Sequence, residues 1–301
     1  MTSHDVVAVA RRALHEKRIG HTGTLDPMAT GVLPLACGRA TRLARFFSAS
    51  DKDYDATIQF GLETDSYDVT GTVVASTGQV PQLADVAEAL ATLRGRYLQL
   101  PPPYSAKKVA GTRAYTLARA QQPVALTAVP VDVSRVDILG VGPDTVTLGL
   151  TVSAGFYVRT LAHELGQRLG TGACLAALRR TRSGSFSAAD AAPLDASDLR
   201  TRLIPLDHLL PEMPAVTVTE TGLARVAHGQ VLLASHYAAS RPARPTVSDG
   251  ADVDETAGAA FGPTPERHEH WTRLVDATGT LLALARPGSE PGALHPAIVL
   301  V

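Results

Sequence analysis

The stretch Gly20-His21-Thr22-Gly23-Thr24-Leu25-Asp26-Pro27-Met28-Ala29-Thr30-Gly31-Val32-Leu33-Pro34 limits what this chain can fold into more than any other. Pro27 drives Asp26 toward extended backbone and away from helix, while Gly20, Gly23 and Gly31 admit tight turns that bulkier residues resist. The segment therefore reads as a stiff, turning loop that presents one carboxylate. No charged side chain lies within four positions of Asp26 on either side. Its counter-charge must arrive from elsewhere in the chain, so the fold has to bring a distant segment onto this loop.

The remainder is long and apolar enough to do so. With 301 residues, 45% of them hydrophobic, the chain can build one large domain or one large and one small. It shows neither an apolar run of bilayer length nor a signal-peptide pattern, which predicts a soluble, cytoplasmic protein. Cys37 and Cys174 stand apart from each other and from any histidine cluster, so they read as small buried apolar residues and no metal site is expected. His268 and His270 lack the structured spacing of metal ligands. The formal net charge of -1 conceals an asymmetry: residues 101–182 carry ten Lys/Arg against four Asp/Glu, and residues 183–301 carry eight against fourteen. A nucleic acid would bind the first of these regions. Only four of the 28 cations are lysines; this suits bidentate phosphate contacts and stacking on bases, and a GC-rich genome would enrich arginine equally.

Along the chain, Thr2 to Asp5 has the form of a capping box, and Val6, Val7, Ala10 and Leu14 follow at helical spacing, predicting a helix over about 4–17. Residues 53–60 alternate polar with Tyr54, Ala56, Ile58 and Phe60, as a half-buried strand does. The acidic, turn-rich Gly61–Asp68 follows. A helix is predicted over 82–94 and a strand over 95–100, ended by Pro101-Pro102-Pro103. Basic and aromatic residues then interleave through Tyr104, Lys107, Lys108, Arg113, Tyr115 and Arg119, the pairing that grips phosphates and bases together. Strands are predicted at about 125–138 and 144–153, then a helix opening near Arg159 and running to Leu169. An arginine at a helix start opposes the helix dipole, so a specific carboxylate partner would account for it. A helix and a proline-bounded tail are expected over 193–213, then strand, helix and strand over 214–234 and a hairpin over 271–285 turning near Thr278-Gly279. The Ala-, Pro- and Asp-rich stretch at about 236–270 has the composition of a disordered insertion.

The run from Gly20 to Leu35 closely resembles the catalytic loop of the bacterial TruB family of tRNA pseudouridine synthases. Asp51-Lys52-Asp53-Tyr54, the Gly61–Asp68 loop, Gly155–Leu161 and Cys174–Gly184 resemble further motifs of that family. Of its Lys-Pro-x-Gly-x-Thr-Ser motif only Thr2-Ser3 is present. The resemblance implies an α+β pseudouridine-synthase fold: a central mixed, mainly antiparallel sheet flanked by helices, plus a small β-rich, PUA-like RNA-binding domain. The catalytic domain would span 1–213, with a thumb at about 101–130 that clamps RNA, and the second domain 214–301. It further implies that Asp26 is catalytic, that Arg159 pairs with it, that Tyr54 stacks on the target base, and that Leu178 walls the pocket against that base and Tyr54. His21 would help evict the uridine and Thr24 would contact the RNA beside it. Lys107, Lys108 and Arg113 would grip RNA from the thumb, and Arg179, Arg180 and Arg182 would face phosphates.

The implied reaction turns a uridine of the tRNA T-loop into pseudouridine. It breaks a glycosidic bond, rotates the uracil and forms a bond to its C5, with no net redox change and no added group, so no cofactor is expected. The reaction needs one carboxylate beside an extruded base. Whether that carboxylate first attacks C1′, adds to the ring or deprotonates C2′ stays open. The expected partner is the T-arm of tRNA, met by a monomer, with no membrane and no protein partner. Two other readings share these residues: a guide-RNA-dependent relative of the same enzyme class, and a non-catalytic RNA-binding or tRNA-folding protein in which Asp26 is only structural. An aspartate-nucleophile hydrolase ranks last, because no second carboxylate cluster stands ready for magnesium.

Overall fold

A computed structural model describes residues 1–105, 107–109, 112–113, 126–241 and 270–301. Half of the expected thumb and most of the expected disordered insertion therefore lie outside the described residues. The elements are, in chain order, α1 (Ser3–Leu14), β1 (Ile19–His21), β2 (Thr30–Gly31), β3 (Leu35–Cys37), α2 (Ala44–Ser48), β4 (Lys52–Phe60), β5 (Leu62–Thr64), β6 (Val73–Ser76), α3 (Leu83–Ala91) and β7 (Gly95–Gln99). There follow β8 (Lys108–Val109), β9 (Thr112–Arg113), β10 (Val129–Val141), β11 (Thr145–Val152), α4 (Val158–Leu169), β12 (Ala173–Ser183) and β13 (Phe186–Ser187). The last group is β14 (Ala215–Val218), α5 (Glu220–Ala227), β15 (Tyr237–Arg241), β16 (Thr272–Val275), β17 (Leu281–Pro287) and β18 (Leu294–Val299). These form two compact units, one of residues 1–6, 23–34 and 47–191, the other of 7–22, 35–46 and 192–301.

The first unit is built on a sheet ordered β13-β12-β4-β11-β10-β7. Every neighbouring pair in that order is antiparallel, and β2 adds a parallel contact by pairing Thr30 with Arg179 and Gly31 with Arg180. The mixed, mainly antiparallel sheet is thus the expected one. Strand β4 alternates buried and half-buried positions along its length, because strand side chains point to opposite faces in turn. Tyr54, Ala56, Ile58 and Phe60 face a core shared with Leu148 and Leu150 of β11 and with Leu161 and Leu165 of α4. Each such fully buried leucine or isoleucine contributes about 1.5–3 kcal/mol. Helix α4 lies close on the start of β12: a Cβ at Gly166 would stand 2.1 Å from the Ala173 nitrogen, so only glycine permits this approach. The capping box forms as expected, Thr2 N donating to Asp5 Oδ2 at 2.8 Å and Asp5 N to Thr2 Oγ1 at 3.2 Å.

The second unit holds a sheet ordered β15-β14-β16-β17-β18, in which only β14 and β16 run parallel, and a separate antiparallel pair of β1 and β3. Its core gathers Val216, Val218, Val226, Leu232, Leu274 and Leu282. Trp271 is buried, with the guanidinium groups of Arg45 and Arg286 at 4.7 and 4.4 Å from its ring, a cation–π arrangement. The expected helix at 193–213 is corrected: the segment turns repeatedly, and its one helical piece is the 3-10 turn Leu206–His208. Pro193, Pro205 and Pro211 interrupt any longer ladder, and local bonds such as Thr201 Oγ1 to the Asp198 carbonyl compete with it. The strand expected to end the 214–234 segment shrinks to a single bridge between Leu232 and Leu294.

Candidate active site

The Asp26 loop is pinned at several points. Leu25 N donates to Ser3 Oγ at 2.8 Å, and that hydroxyl donates to the Leu25 carbonyl at 3.1 Å. On the other limb Val32 N donates to the Arg180 carbonyl at 2.9 Å. At Gly31, φ is +101°, and a Cβ would stand 2.1 Å from the Arg180 carbonyl oxygen; sequence showed a turn-forming glycine, and the structure shows a close approach of two backbones.

Arg159, the second residue of α4, reaches this loop from 133 positions away. Its Nε donates to Asp26 Oδ2 at 2.8 Å and its Nη2 to Oδ1 at 2.9 Å, the two-bond pairing that planar guanidinium and carboxylate favour. The Arg159 side chain is 7% exposed and that of Asp26 28%, so the cation is sealed while the carboxylate stays open on one side. Arg159 Nη1 donates to the Ser66 carbonyl at 3.1 Å and lies 3.6 Å from Asp68 Oδ2, and Nη2 also donates to the Tyr104 carbonyl at 3.0 Å. Asp68 is buried and accepts bonds from Ser66 Oγ, Thr70 N and Thr70 Oγ1. In the sequence Asp68 carries one signal, an acidic residue in a turn-rich loop among Ser and Thr, and a plain solvated turn has the same signal.

Tyr54 and Leu178 are both buried in the core of the first unit. Burial pushes the Tyr54 hydroxyl above its ordinary range, as Asp26 also does more weakly, while Arg180 opposes the rise by charge and by a hydrogen bond. The phenol is therefore neutral at physiological pH. Tyr157, next to α4, is raised in the same way, chiefly by burial. Its backbone is fixed by the fully buried Gln99, whose side chain accepts from Tyr157 N at 2.8 Å and donates to its carbonyl at 3.1 Å. A surface cavity of about 300 Å³ is lined by Met28, Thr30 and Leu178 among others, and by none of Asp26, Tyr54 and Arg159.

The three arginines expected to face phosphates separate. Arg179 is exposed. Arg182 is partly exposed and makes two 2.7 Å bonds to Asp53. Burial works against the Asp53 charge, yet the Arg182 bonds hold that carboxyl below the usual range. Arg180 is corrected: it is 1% exposed and turned inward, donating to the carbonyls of Val32 at 2.9 Å, Gly23 at 3.1 Å and Thr24 at 3.5 Å. Its guanidinium ties the two limbs of the Asp26 loop together, which leaves no donor facing solvent phosphate. Thr24 is exposed. His21 ends β1 in the second unit and is half-buried. Lys107 is half-buried, and Lys108 and Arg113 are paired through the backbones of β8 and β9. Among the described residues no group of three or more His, Cys, Asp or Glu could hold a metal ion, and no helix is long and apolar enough to cross a membrane.

The fold is that of RNA-modifying pseudouridine synthases. It matches, at TM-score 0.66 and 22% identity, a chain in a structure of an H/ACA ribonucleoprotein bound to a substrate RNA containing 2′-deoxyuridine, and at 0.69 and 24% a chain in a Cbf5-Nop10-Gar1 complex; each covers the whole of this chain and 82% of the other. The model of the TruB family pseudouridylate synthase N-terminal domain matches residues 11–158, and that of the tRNA pseudouridylate synthase B C-terminal domain matches 159–211. The chain is 45% identical to the tRNA pseudouridine synthase B of Heliobacterium modesticaldum over 76% of its own length and 77% of that protein. For the corresponding enzyme of Burkholderia mallei the values are 36% identity, 100% and 93%. This chain belongs to the TruB family of pseudouridylate synthases.

Proposed function

We propose that this protein isomerises a uridine in the T-arm of tRNA to pseudouridine, with Asp26 as the catalytic group. The observation that carries the reading is the two-bond pair between a sealed Arg159 and a partly open Asp26 beside a buried, neutral Tyr54. The N1–C1′ bond of the flipped nucleotide breaks, a C5–C1′ bond forms, the C5 proton leaves and N1 gains one, so atoms and electrons balance without a cofactor. Arg159 balances the charge of Asp26 and fixes its orientation through the two-bond pair. Tyr54 stacks on the uracil, and its raised hydroxyl suits stacking better than proton abstraction. Leu178 supplies the apolar wall. His21 fills the place the uridine leaves, Thr24 and Arg179 contact the backbone, and Lys107, Lys108 and Arg113 grip the arm; Arg182 joins them only by sharing its charge with Asp53. Residues 1–213 serve as the catalytic domain and 214–301 as an RNA-binding one, in a cytoplasmic monomer.

Tritium release from a tRNA transcript carrying C5-tritiated uridine tests this, with Asp26→Asn as comparison. The variant keeps its shape and tRNA affinity while the single-turnover rate falls by at least about 10³-fold. Equal release by both proteins would remove Asp26 from the mechanism. Binding without release by either would favour the non-catalytic RNA-binding reading.

A further inference from the structure

Two acceptors meet Nη1 of Arg159, the Ser66 carbonyl and the Asp68 carboxylate, and the residue between them is Tyr67. Tyr67 has φ +64°, a left-handed conformation that a tyrosine keeps only when its surroundings impose it. Those surroundings are visible. The Tyr67 ring lies flat on the His163 imidazole, with centroids 3.9 Å apart and planes 4° apart. His163 follows Arg159 by four residues on α4, which places both on one face of the helix. The Tyr67 carbonyl accepts from Leu175 N at 2.9 Å, and Val69 N donates to the Leu175 carbonyl at 3.0 Å, so β12 holds the other side of the loop.

The stack is not a simple packing choice. His163 Nδ1 is buried and has no hydrogen-bond partner among the described residues, a state that costs stability and that an apolar ring would avoid. Burial holds the imidazole below its ordinary pKa, with Glu63 opposing more weakly, and burial raises the Tyr67 hydroxyl. Both rings are thus neutral and can lie face to face without a buried charge. The helix that carries Arg159 therefore also carries, one turn on, the ring that fixes the loop supplying its Nη1 acceptors.

We infer that the Tyr67–His163 stack is a positioning device: it locks the left-handed turn that aims Ser66 and Asp68 at Arg159, and so sets the orientation in which Arg159 presents Asp26. Neither ring touches substrate. The inference rests on the reading of Asp26 as the catalytic group.

The test is single-turnover pseudouridine formation and tRNA affinity, measured separately, for Tyr67→Gly, Tyr67→Phe and His163→Leu, with Asp26→Asn as control. Glycine accepts φ +64° without strain, so Tyr67→Gly stays folded while losing the stack; His163→Leu removes it from the other side. Both should lower the single-turnover rate about 10- to 100-fold, the size of effect a misplaced catalytic group gives, with tRNA affinity within about twofold of the parent. Tyr67→Phe keeps a ring over the imidazole and restores the rate. A parental rate in Tyr67→Gly or His163→Leu overturns the inference, as does a loss confined to affinity or one that Tyr67→Phe shares in full. If Asp26→Asn turns over normally, the fault lies with the assignment of Asp26 instead.

Discussion

Replacing Arg180 by methionine separates a loop-tying arginine from an RNA-gripping one. Methionine fills most of the same volume but offers no donor, so the carbonyls of Val32 and Gly23, bonded at 2.9 and 3.1 Å, lose charged partners. The 3.5 Å contact to Thr24 is too long to count for much. Two hydrogen bonds from a charged donor are worth about 3–6 kcal/mol together. Removing a guanidinium that is 1% exposed also relieves its desolvation, which returns about 1–3 kcal/mol. At the middle of those ranges the net loss is about 2–3 kcal/mol, a fall in Tm of roughly 3–5 °C for a chain of 301 residues. The paired assay is tRNA binding across a salt series. Arg180→Met should leave the slope of log affinity against log salt unchanged, because no counterion is released at a residue that meets no phosphate. Arg179→Ala should reduce that slope by about 0.7–0.9 at unchanged Tm. An Arg180→Met protein with parental Tm and a reduced slope would refute the reasoning, since it would mean that the guanidinium faces RNA in solution.

Two further substitutions probe the same region. Gly31→Ala sets a Cβ against the Arg180 carbonyl oxygen at a φ of +101°; the strain and the clash together should cost about 2–5 kcal/mol, seen as a lower denaturation midpoint at unchanged m-value. Lys52 is buried with its ammonium on the Ser48 and Ser50 carbonyls, and burial first, then Arg180, lowers its pKa to about 8. Below about pH 8 folding must bury a charge that the unfolded chain carries freely. Between about pH 8 and 10.5 the unfolded state binds more protons than the native one, so this residue's contribution rises with pH, by no more than about 3 kcal/mol. Lys52→Met should flatten that rise in unfolding free energy measured from pH 7 to 10, and an unchanged profile would show that Lys52 titrates normally.

The parts of the fold that sequence revealed are those with local causes. The α1 capping box, the alternation of β4 and β11, and the position of Arg159 at a helix start can each be seen in a few neighbouring residues, and each lies where expected. What stayed hidden depends on distant pairing. Strand β2 is two residues long and exists only because Thr30 and Gly31 meet Arg179 and Arg180; no periodicity shows in two residues. The register of β12 slips between Leu175 and Ala177 and again between Arg180 and Arg182. Such bulges change which side chains share a face: alternation turns Leu178 and Arg180 inward, and the second slip takes Arg182 off that face to pair with Asp53. A run of basic residues gave no means of telling them apart. The 193–213 segment failed as a helix for a local reason that had been visible, its prolines and Asp–Thr turns.

The charges around the site follow from what the loop demands. Asp26 sits on a segment with no neighbouring charge, so the fold carries buried cations to it along different elements: Arg159 on α4 to the carboxylate itself, and Arg180 on β12 to the backbone on both sides of it. Lys52, at the start of β4, has its pKa lowered first by burial and then by Arg180. A buried ion pair rarely adds stability over well-packed apolar residues, and like charges close together subtract from it. The arrangement is therefore poor as a stabilising design, and what it achieves is a carboxylate held in one orientation and left open on one side. Because Asp26 and Arg159 are 133 residues apart, the pair exists only once the β12-β4-β11 sheet and α4 have assembled. Any substitution that loosens that assembly should lower the rate of the chemical step before it abolishes folding, and comparing single-turnover rate with Tm across core variants of β4 and α4 would show the two losses separating in that order.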